Sequence, residues 1–244
     1  IDAKFGALGM KMSDNKIESV IQYFHQKLDA LYASEEVESF FWILLEHELG
    51  WKRLDWMRNP DLRLTESQLL TFIAHSRRLL KNEPVQYITG ESHFMDLTLS
   101  VNSSVLIPRP ETEELVNWMD STIQNSTHLE VIDIGTGSGC IALSLKRIWP
   151  EAYIKGVDIM RNALEVAQRN GDNNNLQVKW QLMDALNMPR EVEKYDVVVS
   201  NPPYVLDSEK QQMRANVLNF EPHKALFVDD TDPLFYYEAI SQWA

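Results

Sequence analysis

Residues 131–139, which read Val-Ile-Asp-Ile-Gly-Thr-Gly-Ser-Gly, decide the fold of this chain. The short run of branched apolar residues predicts a buried strand, and a helix is predicted to follow the last glycine. The three glycines let the backbone turn sharply between these two elements and approach a ligand closely. Since the start of a helix presents unpaired N–H groups, this strand–loop–helix unit predicts a binding site for an anionic ligand.

Beyond residue 111 the chain alternates between helical and extended patterns. We predict strands at 129–134, 153–157, 177–182 and 195–200, and helices at 115–119, 162–170 and 233–243. Such alternation builds a parallel sheet covered on both faces, whose ligands lie beyond the carboxyl ends of its strands. The predicted fold class is therefore α/β and Rossmann-like. Because only four strands are predicted before residue 244, we also expect this domain to be incomplete at its C-terminal end.

The spacing of the glycines distinguishes between two classes of cofactor. Dinucleotide enzymes favour Gly-x-Gly-x-x-Gly around a pyrophosphate, whereas methyltransferases favour Asp-x-Gly-x-Gly-x-Gly around the carboxylate of a methionine moiety. Here Asp133 precedes three glycines at alternate positions, so the loop predicts S-adenosylmethionine. Asp158 follows the second strand, where a carboxylate can accept hydrogen bonds from both ribose hydroxyls. Asp184 follows the third strand, where it can bind the adenine amino group, although a solvated loop carboxylate is an equally good interpretation.

The fourth predicted strand ends in Asn-Pro-Pro-Tyr at residues 201–204, on the same edge of the sheet as the glycine loop. An amide nitrogen is a poor nucleophile because its lone pair is delocalised, so a site that methylates it must hold both of its hydrogens. The side-chain carbonyl of Asn201 and the backbone carbonyl of Pro202 supply two acceptors, and the prolines stiffen the turn. Tyr204 supplies a flat wall for a planar group. We therefore predict methylation of an amide-like nitrogen, with Asn201, Pro202 and Tyr204 as catalytic residues.

The first third of the chain has apolar residues at helical spacing and predicts a small helical bundle. Ser34 is a plausible N-cap, and Thr65 and Gln68 have the spacing of a capping box. Gly50 and Pro84 are predicted to end two of the helices. Alternating apolar residues near Leu97 then predict a β-hairpin. We expect three parts: a helical domain at 12–84, a β-hairpin linker at 85–108 and a methyltransferase domain at 109–244, with residues 1–11 outside the first domain.

Composition restricts the class of protein further. The chain has 244 residues, of which 44% are hydrophobic, and no apolar run is long enough to predict a membrane span. The single cysteine, Cys140, excludes an intrachain disulfide and fits a cytoplasmic location. The net charge of −13 gives no general attraction to nucleic acid. The six histidines are scattered along the chain, so we predict no metal site.

Five stretches of the sequence resemble the HemK/PrmC family of protein N5-glutamine methyltransferases. They are residues 83–90 (Glu-Pro-Val-Gln-Tyr-Ile-Thr-Gly), residues 106–115 (Leu-Ile-Pro-Arg-Pro-Glu-Thr-Glu-Glu-Leu), the glycine loop, the Asn-Pro-Pro-Tyr motif and Phe-Glu-Pro at 220–222. The run Pro-Arg-Pro-Glu-Thr-Glu is more diagnostic than either catalytic motif. The resemblance covers nearly all of the chain from Ile17 onward and implies a helical substrate-recognition domain, a hairpin linker and a methyltransferase domain.

The resemblance also implies a reaction, the transfer of a methyl group from S-adenosylmethionine to N5 of the glutamine in the Gly-Gly-Gln motif of class I peptide chain release factors. The product of the cofactor would be S-adenosyl-L-homocysteine, and the protein is expected to be a monomer. The implied substrate-binding residues are Asn201, Pro202, Pro203, Tyr204, Phe94 and Arg109. The implied cofactor-binding residues are Asp133, Gly135, Thr136, Gly137, Ser138, Gly139, Asp158, Asp184, Ala185 and Asn201. Some members have an aromatic residue where this chain has Ala185, so a group that stacks on adenine must come from elsewhere.

Three other functions are compatible with parts of this pattern. A close relative of the predicted reaction methylates a glutamine in a ribosomal protein, and the sequence discriminates poorly between these two substrates. Enzymes that N-methylate nucleic-acid bases share the Asn-Pro-Pro-aromatic motif, but they usually add a basic surface, which the charge of −13 argues against. A cofactor-binding module without catalysis is the third alternative, and it would be insensitive to substitution of Asn201.

Overall fold

The computed structural model describes residues 14–124, 127–187 and 194–244, which separate into two compact units with the division between Thr89 and Gly90. The expectation for residues 1–11 lies outside the described residues. The three-part division into residues 12–84, 85–108 and 109–244 stays a prediction. In the structure the hairpin belongs to the second unit, and residues 85–89 are helical.

The first unit is helical throughout its regular elements. In chain order the helices are α1 (Ile17–Leu28), α2 (Ser34–Leu49), α3 (Arg53–Arg58), α4 (Glu66–Leu79) and α5 (Val85–Thr89). Three fully buried aromatic side chains, Phe24, Phe41 and Phe72, meet in its core with ring centroids 5.4 to 6.3 Å apart. Each buried ring contributes about 1.5–3 kcal/mol through apolar burial, so this contact is a substantial favourable term in the folding of the unit.

The helix ends of the first unit follow the sequence signals in part. Thr65 caps α4 in a capping box with Gln68, as predicted, and Gly50 ends α2 in the left-handed conformation with φ of 67°. The prediction that Ser34 caps α2 was wrong, because Ala33 occupies the N-cap and the Ser34 hydroxyl lies 3.3 Å from His25 Nδ1. Pro84 does not end α4 either, since that helix already stops at Leu79. Proline lacks the N–H that a helix interior needs, and here it stands directly before α5.

The second unit begins with a β-hairpin of β1 (Glu91–Phe94) and β2 (Leu97–Ser100). Leu97 and Leu99 are buried while Thr98 faces solvent, which confirms the predicted alternation along β2. Asn170, whose side chain is fully buried, donates from Nδ2 to the carbonyl oxygens of Ser100 and Ser138 over 3.0 and 2.9 Å. The hairpin is thereby attached to the glycine loop.

A four-stranded parallel sheet forms the centre of this unit. Besides two 3₁₀ helices (Asp207–Gln212 and His223–Ala225), the remaining described elements in chain order are α6 (Pro110–Thr122), β3 (Glu130–Ile134), α7 (Cys140–Ile148), β4 (Tyr153–Asp158), α8 (Arg161–Asn174), β5 (Lys179–Leu182), β6 (Val197–Ser200), β7 (Val205–Leu206), α9 (Ala215–Phe220), β8 (Phe227–Val228) and α10 (Phe235–Trp243). The strands of the main sheet run in the order β5-β4-β3-β6, and β7 pairs with β8 in a separate parallel pair. All four strands predicted from the sequence are present, so their carboxyl ends lie on one edge, as expected.

The indole of Trp180 on β5 packs directly against Gly156 of β4, close to Thr136 of the glycine loop. A Cβ atom at Gly156 would lie 2.3 Å from Cζ3 of Trp180 and 3.0 Å from Oγ1 of Thr136. The indole thus occupies the space that a side chain at Gly156 would need. The packing predicts a glycine requirement that the strand pattern does not reveal.

We expect Gly156→Ala to lower the free energy of unfolding by about 1–3 kcal/mol, because overpacking a filled core forces side chains off their rotamers. Urea unfolding of the two proteins measures this change. In a Trp180→Leu background the smaller side chain leaves room for a methyl group, and the cost of Gly156→Ala should shrink. An equal cost in both backgrounds would contradict the proposed contact.

Candidate functional site

A cavity of about 340 Å³ opens at the carboxyl ends of the four parallel strands. Most residues predicted from the sequence to form the site line it: Arg109, Gly135, Thr136, Gly137, Ser138, Asp158, Asp184, Ala185, Asn201, Pro202 and Pro203. Asp133, Gly139, Tyr204 and Phe94 do not line it. The parallel topology thus gathers into one cavity residues that are up to 94 positions apart, from Arg109 to Pro203.

The glycine loop between β3 and α7 is held by backbone hydrogen bonds to the neighbouring strand. Gly135 and Gly137 have φ angles of 75° and 56°, a conformation that other residues adopt only with strain. The N–H groups of Gly135 and Thr136 both donate to the carbonyl oxygen of Val157 over 2.9 Å. A Cβ at Gly135 or Gly137 would meet no protein atom within 4 Å, so the loop faces open space rather than packed core.

Gly139 fulfils a different requirement from the other two loop glycines. Its φ is 81°, and a Cβ there would lie 2.9 Å from Cη2 of Trp180 and 3.2 Å from Cβ of Ala167. Gly139 therefore packs against the core at the start of α7, which fits its absence from the cavity wall. The loop glycines divide into two that face the cavity and one that packs against the core.

Asp133 lies beneath the loop and has no exposed surface. The hydroxyl of Thr136 donates to its Oδ2 over 2.5 Å. Its Oδ1 has no partner of hydrogen-bond geometry among the described residues, although the N–H of Ala142 is close enough to lower the pKa slightly. Burial dominates and raises the pKa of the Asp133 carboxyl to about 7, against the opposing effect of the Thr136 hydroxyl. Asp133 is thus a support of the loop rather than a group that reaches into the cavity.

The raised pKa of Asp133 predicts how stability changes with pH. Between the ordinary value of 3.8 and about 7 the folded state binds more protons at this site than the unfolded state. The contribution of Asp133 to the free energy of unfolding therefore falls as the pH rises through this range and is constant above it.

Between pH 5 and pH 8, the free energy of unfolding should fall by about 2 kcal/mol less in Asp133→Asn than in wild type. The asparagine carbonyl can still accept from Thr136 but does not ionise. Urea unfolding of both proteins at the two pH values measures the difference. The exposed Asp172→Asn is the control and should follow wild type; an Asp133→Asn protein with the wild-type pH dependence would contradict the prediction.

Asp158 at the end of β4 connects two loops through its carboxylate. Oδ2 accepts from the N–H of Gly137 and Oδ1 accepts from the N–H of Met160, over 2.9 and 2.8 Å. Burial raises the pKa of Asp158, while these backbone hydrogen bonds oppose the rise. Since each carboxylate oxygen has a second lone pair, both can still accept from a ligand in the cavity.

Asp184 and Ala185 lie beyond β5. The structure is compatible with both interpretations of Asp184, a ligand of the adenine amino group and a solvated loop carboxylate. Asp184 accepts from the N–H of Leu186 over 2.9 Å and from Nδ2 of Asn187 over 2.7 Å, which is a local turn-forming role. It also lines the cavity. Apolar side chains flank it, and Ile159, with 54% of its surface exposed, lines the same cavity.

Asn201 follows β6 and lies at the junction of two cavities. It lines the main cavity together with Pro202, and both also line an adjoining cavity of about 120 Å³. Nδ2 of Asn201 donates to Oγ1 of Thr112 over 3.2 Å. No described residue donates to Oδ1 of Asn201 or to the carbonyl oxygen of Pro202. The motif therefore presents two acceptor oxygens to a ligand.

The remaining predicted substrate residues occupy different positions. Tyr204 is 58% exposed and lines the smaller cavity. Arg109 lines both cavities, and its Nη2 donates to Glu221 Oε1 over 2.6 Å. Phe94 is only 1% exposed and packs in the apolar core with Leu97, so the structure places it away from the cavity walls.

Several residues of the site were missed by the sequence interpretation. Tyr236 and Ile240 of α10 line the main cavity, and no local motif marks them. Glu221, almost fully buried, also accepts from the N–H of Ile107 over 3.1 Å and so holds the segment that enters α6. In the sequence, only its place in the Phe-Glu-Pro stretch at 220–222 marked Glu221 as a residue of interest. Its role follows from the structure, because a buried carboxylate needs hydrogen-bond partners.

The described residues show neither a cluster of metal ligands nor a helix that could span a membrane. Among residues 14–124, 127–187 and 194–244, no three His, Cys, Asp or Glu side chains are grouped as metal ligands would be. Within the same ranges, every helix is too short or too polar to span a bilayer.

Comparison with known proteins identifies relatives of both units. The family model of the PrmC N-terminal domain matches residues 19–90, and that of the methyltransferase small domain matches residues 112–226. Among solved structures, the catalytic domain of hMettl16 aligns with a TM-score of 0.46 and 18% identity, over 73% of this chain and 62% of that one. The predicted fold class, an α/β Rossmann-like methyltransferase domain preceded by helices, is confirmed.

Individual relatives share one name. A release factor glutamine methyltransferase of Flavobacterium psychrophilum is 42% identical over 226 residues, which are 91% of this chain and 79% of that protein. One of Bacteroides thetaiotaomicron is 39% identical over 91% of this chain and 80% of its own length. The chain therefore belongs to the family of release factor glutamine methyltransferases.

Proposed function

We propose that this protein transfers a methyl group from S-adenosylmethionine to the side-chain amide nitrogen of the glutamine in the Gly-Gly-Gln motif of class I peptide chain release factors. The names of the relatives support this substrate. The observation that carries the proposal is the position of Asn201 and Pro202, which line both the main cavity and the smaller one and whose acceptor oxygens take no hydrogen bond from a described residue. A planar NH₂ group needs two such acceptors.

The residues of the main cavity fit S-adenosylmethionine. The first turn of α7 and the glycine loop favour the carboxylate of the methionine moiety. Asp158 is held by the N–H groups of Gly137 and Met160, and its remaining lone pairs suit a ribose diol. The bound cofactor supplies an electrophilic methyl group on a sulfonium. With a carboxylate and N–H donors at one end and apolar side chains at the other, this donor set matches an adenosyl amino acid.

The residues that we propose contact adenine are apolar and aliphatic, and position 185 is an alanine rather than an aromatic residue. Ile159 and Leu186 line the cavity and are 54% and 38% exposed. Met183 lines it as well, and Asp184 lies between Met183 and Ala185. These side chains offer apolar surface to a flat ring, and Asp184 offers an acceptor for its amino group. They compensate for the small side chain of Ala185.

The substrate amide is oriented by the Asn-Pro-Pro-Tyr turn. Asn201 Oδ1 and the Pro202 carbonyl accept from the two N–H groups, which holds the nitrogen lone pair in a fixed direction. The same two oxygens stabilise positive charge that develops on the nitrogen. Tyr204 provides a flat wall, and Pro203 and Arg109 line the entrance. The methylated nitrogen becomes acidic and can release its proton without a dedicated base.

The proposed function also includes how the protein recognises its substrate and where it acts. The helical unit recognises the release factor, and the protein acts as a cytoplasmic monomer without direct contact to nucleic acid. The single cysteine supports the cytoplasmic location, and the net charge of −13 supports the absence of nucleic-acid contact. A ribosomal protein remains the alternative substrate.

The test is to incubate the protein with methyl-labelled S-adenosylmethionine and one of three acceptors. These are a class I release factor, the same factor with its Gly-Gly-Gln glutamine replaced by alanine, and ribosomal proteins. We expect label on the intact release factor alone. Label on a ribosomal protein alone, or equal label on both release factors, would refute the proposed acceptor.

A further inference from the structure

A buried hydroxyl group lies against the catalytic asparagine. Thr112 is 6% exposed and stands in the first turn of α6, where it lines both cavities. Its Oγ1 accepts from Nδ2 of Asn201 over 3.2 Å. No other side-chain hydrogen bond of Asn201 occurs within the described part of the chain.

The orientation of an asparagine amide decides what it can bind. Its oxygen and nitrogen are nearly equal in size, so a half-turn about the last bond exchanges an acceptor for a donor. A donor facing the substrate NH₂ group would repel it. The chemistry at Asn201 therefore requires a partner that engages the nitrogen and leaves the oxygen available to the substrate.

The position of Thr112 is itself fixed by a buried ion pair. Glu221 accepts from Arg109 over 2.6 Å and from the N–H of Ile107 over 3.1 Å, and its side chain is 1% exposed. Residues 107–109 lead directly into α6, which starts at Pro110. The N–H of Thr112 donates to the carbonyl oxygen of Arg109 over 3.0 Å. The Thr112 hydroxyl therefore follows a segment, residues 107–109, that Glu221 binds at both Ile107 and Arg109.

We propose that Thr112 is a positioning residue of the methyl transfer: by accepting from Nδ2 of Asn201, it keeps Oδ1 of that side chain directed at the substrate amide. This inference rests on the proposed function. It assigns to the threonine of the Pro-Arg-Pro-Glu-Thr-Glu run a part in the reaction that is separate from cofactor binding. Thr112 does not touch the reacting atoms and acts only through Asn201.

The test compares Thr112→Val, which keeps the shape and removes the hydroxyl, with Thr112→Ser, which keeps the hydroxyl. We expect Thr112→Val to lower kcat by about 10- to 100-fold, because a misplacement of about 1 Å at a reacting centre can cost about 100-fold, with KM for the cofactor unchanged. Thr112→Ser should stay within about 3-fold of wild type, well inside that loss. The exposed Thr122→Val at the other end of α6 is the matched control and should behave as wild type. If Thr112→Val does not fold, Thr112→Ser and Thr112→Ala give the same comparison.

A second readout does not depend on the substrate. In ¹⁵N-labelled protein, the Asn201 side-chain NH₂ signals are assigned by their loss in Asn201→Asp. We expect one N–H to exchange slowly with solvent in wild type and in Thr112→Ser, and rapidly in Thr112→Val. Unchanged exchange in Thr112→Val, or an active Thr112→Val enzyme, would overturn the role of Thr112. A wild-type protein that shows the protected N–H but methylates no release factor would instead overturn the proposed substrate.

Discussion

Replacing Asn201 by alanine should reduce methyl transfer by about 10²–10³-fold, the size of effect seen when one preorganised polar group is removed from a reacting centre. The variant loses the Oδ1 acceptor and the hydrogen bond from Nδ2 to Thr112. Binding of S-adenosylmethionine should fall much less, because the glycine loop and Asp158 remain in place. Initial rates with labelled cofactor and calorimetric titration of the cofactor measure the two effects separately.

Asn117→Ala is the matched control for this experiment. Asn117 is exposed on α6, so its removal should leave both the rate and cofactor binding near wild type. An Asn201→Ala protein that retains more than a tenth of wild-type activity would show that the amide does not hold the substrate. A noncatalytic cofactor-binding module would be indifferent to both substitutions.

Replacing Asp158 by alanine should weaken S-adenosylmethionine binding by about 100-fold or more. Two hydrogen bonds to a charged carboxylate would be lost from the ribose, and each is worth about 1.5–3 kcal/mol. The change also removes the acceptor of the Gly137 N–H, so the glycine loop loses its connection to the end of β4. Equilibrium binding of the cofactor by calorimetry is the measurement.

Asp172→Ala provides the control. Asp172 is exposed on α8, and its side chain accepts a hydrogen bond from the nearby Gln168 side chain. Its dissociation constant should match wild type. If Asp158→Ala binds the cofactor within about 5-fold of wild type, roughly 1 kcal/mol, the carboxylate is not part of the cofactor site. Thermal unfolding without ligand separates loss of binding from loss of fold.

The sequence predicted the four strands well: 129–134 and 195–200 contain apolar runs, and all four alternate with helical patterns along the chain. Helix ends were less accurate. Thr65 and Gln68 were correctly interpreted as a capping box, but Ser34 was assigned to a cap that Ala33 occupies. Several side chains near a helix start can satisfy the same N–H groups, and the choice among them depends on packing elsewhere, here on the contact of Ser34 with His25.

Phe94 shows the limit of transferring a residue by resemblance. The family resemblance implied a place for Phe94 at the substrate site, but the hairpin register turns it toward the apolar core beside Leu97. In a strand, successive side chains face opposite sides, so one register decides between core and cavity. That register is set by the hairpin turn and by Asn170 on α8, 70 residues beyond Ser100.

By itself, the sequence determined the parallel α/β fold, the glycine loop and the position of the Asn-Pro-Pro-Tyr turn at the same sheet edge. These features follow from local patterns: the apolar period of strands, the conformational freedom of glycine and the rigidity of proline. Only the tertiary structure decided that Thr112 accepts from Asn201, that Glu221 accepts from Arg109, and that Tyr236 and Ile240 line the cavity. Each of these depends on residues far apart in the chain, and their meeting is fixed by packing rather than by any local pattern.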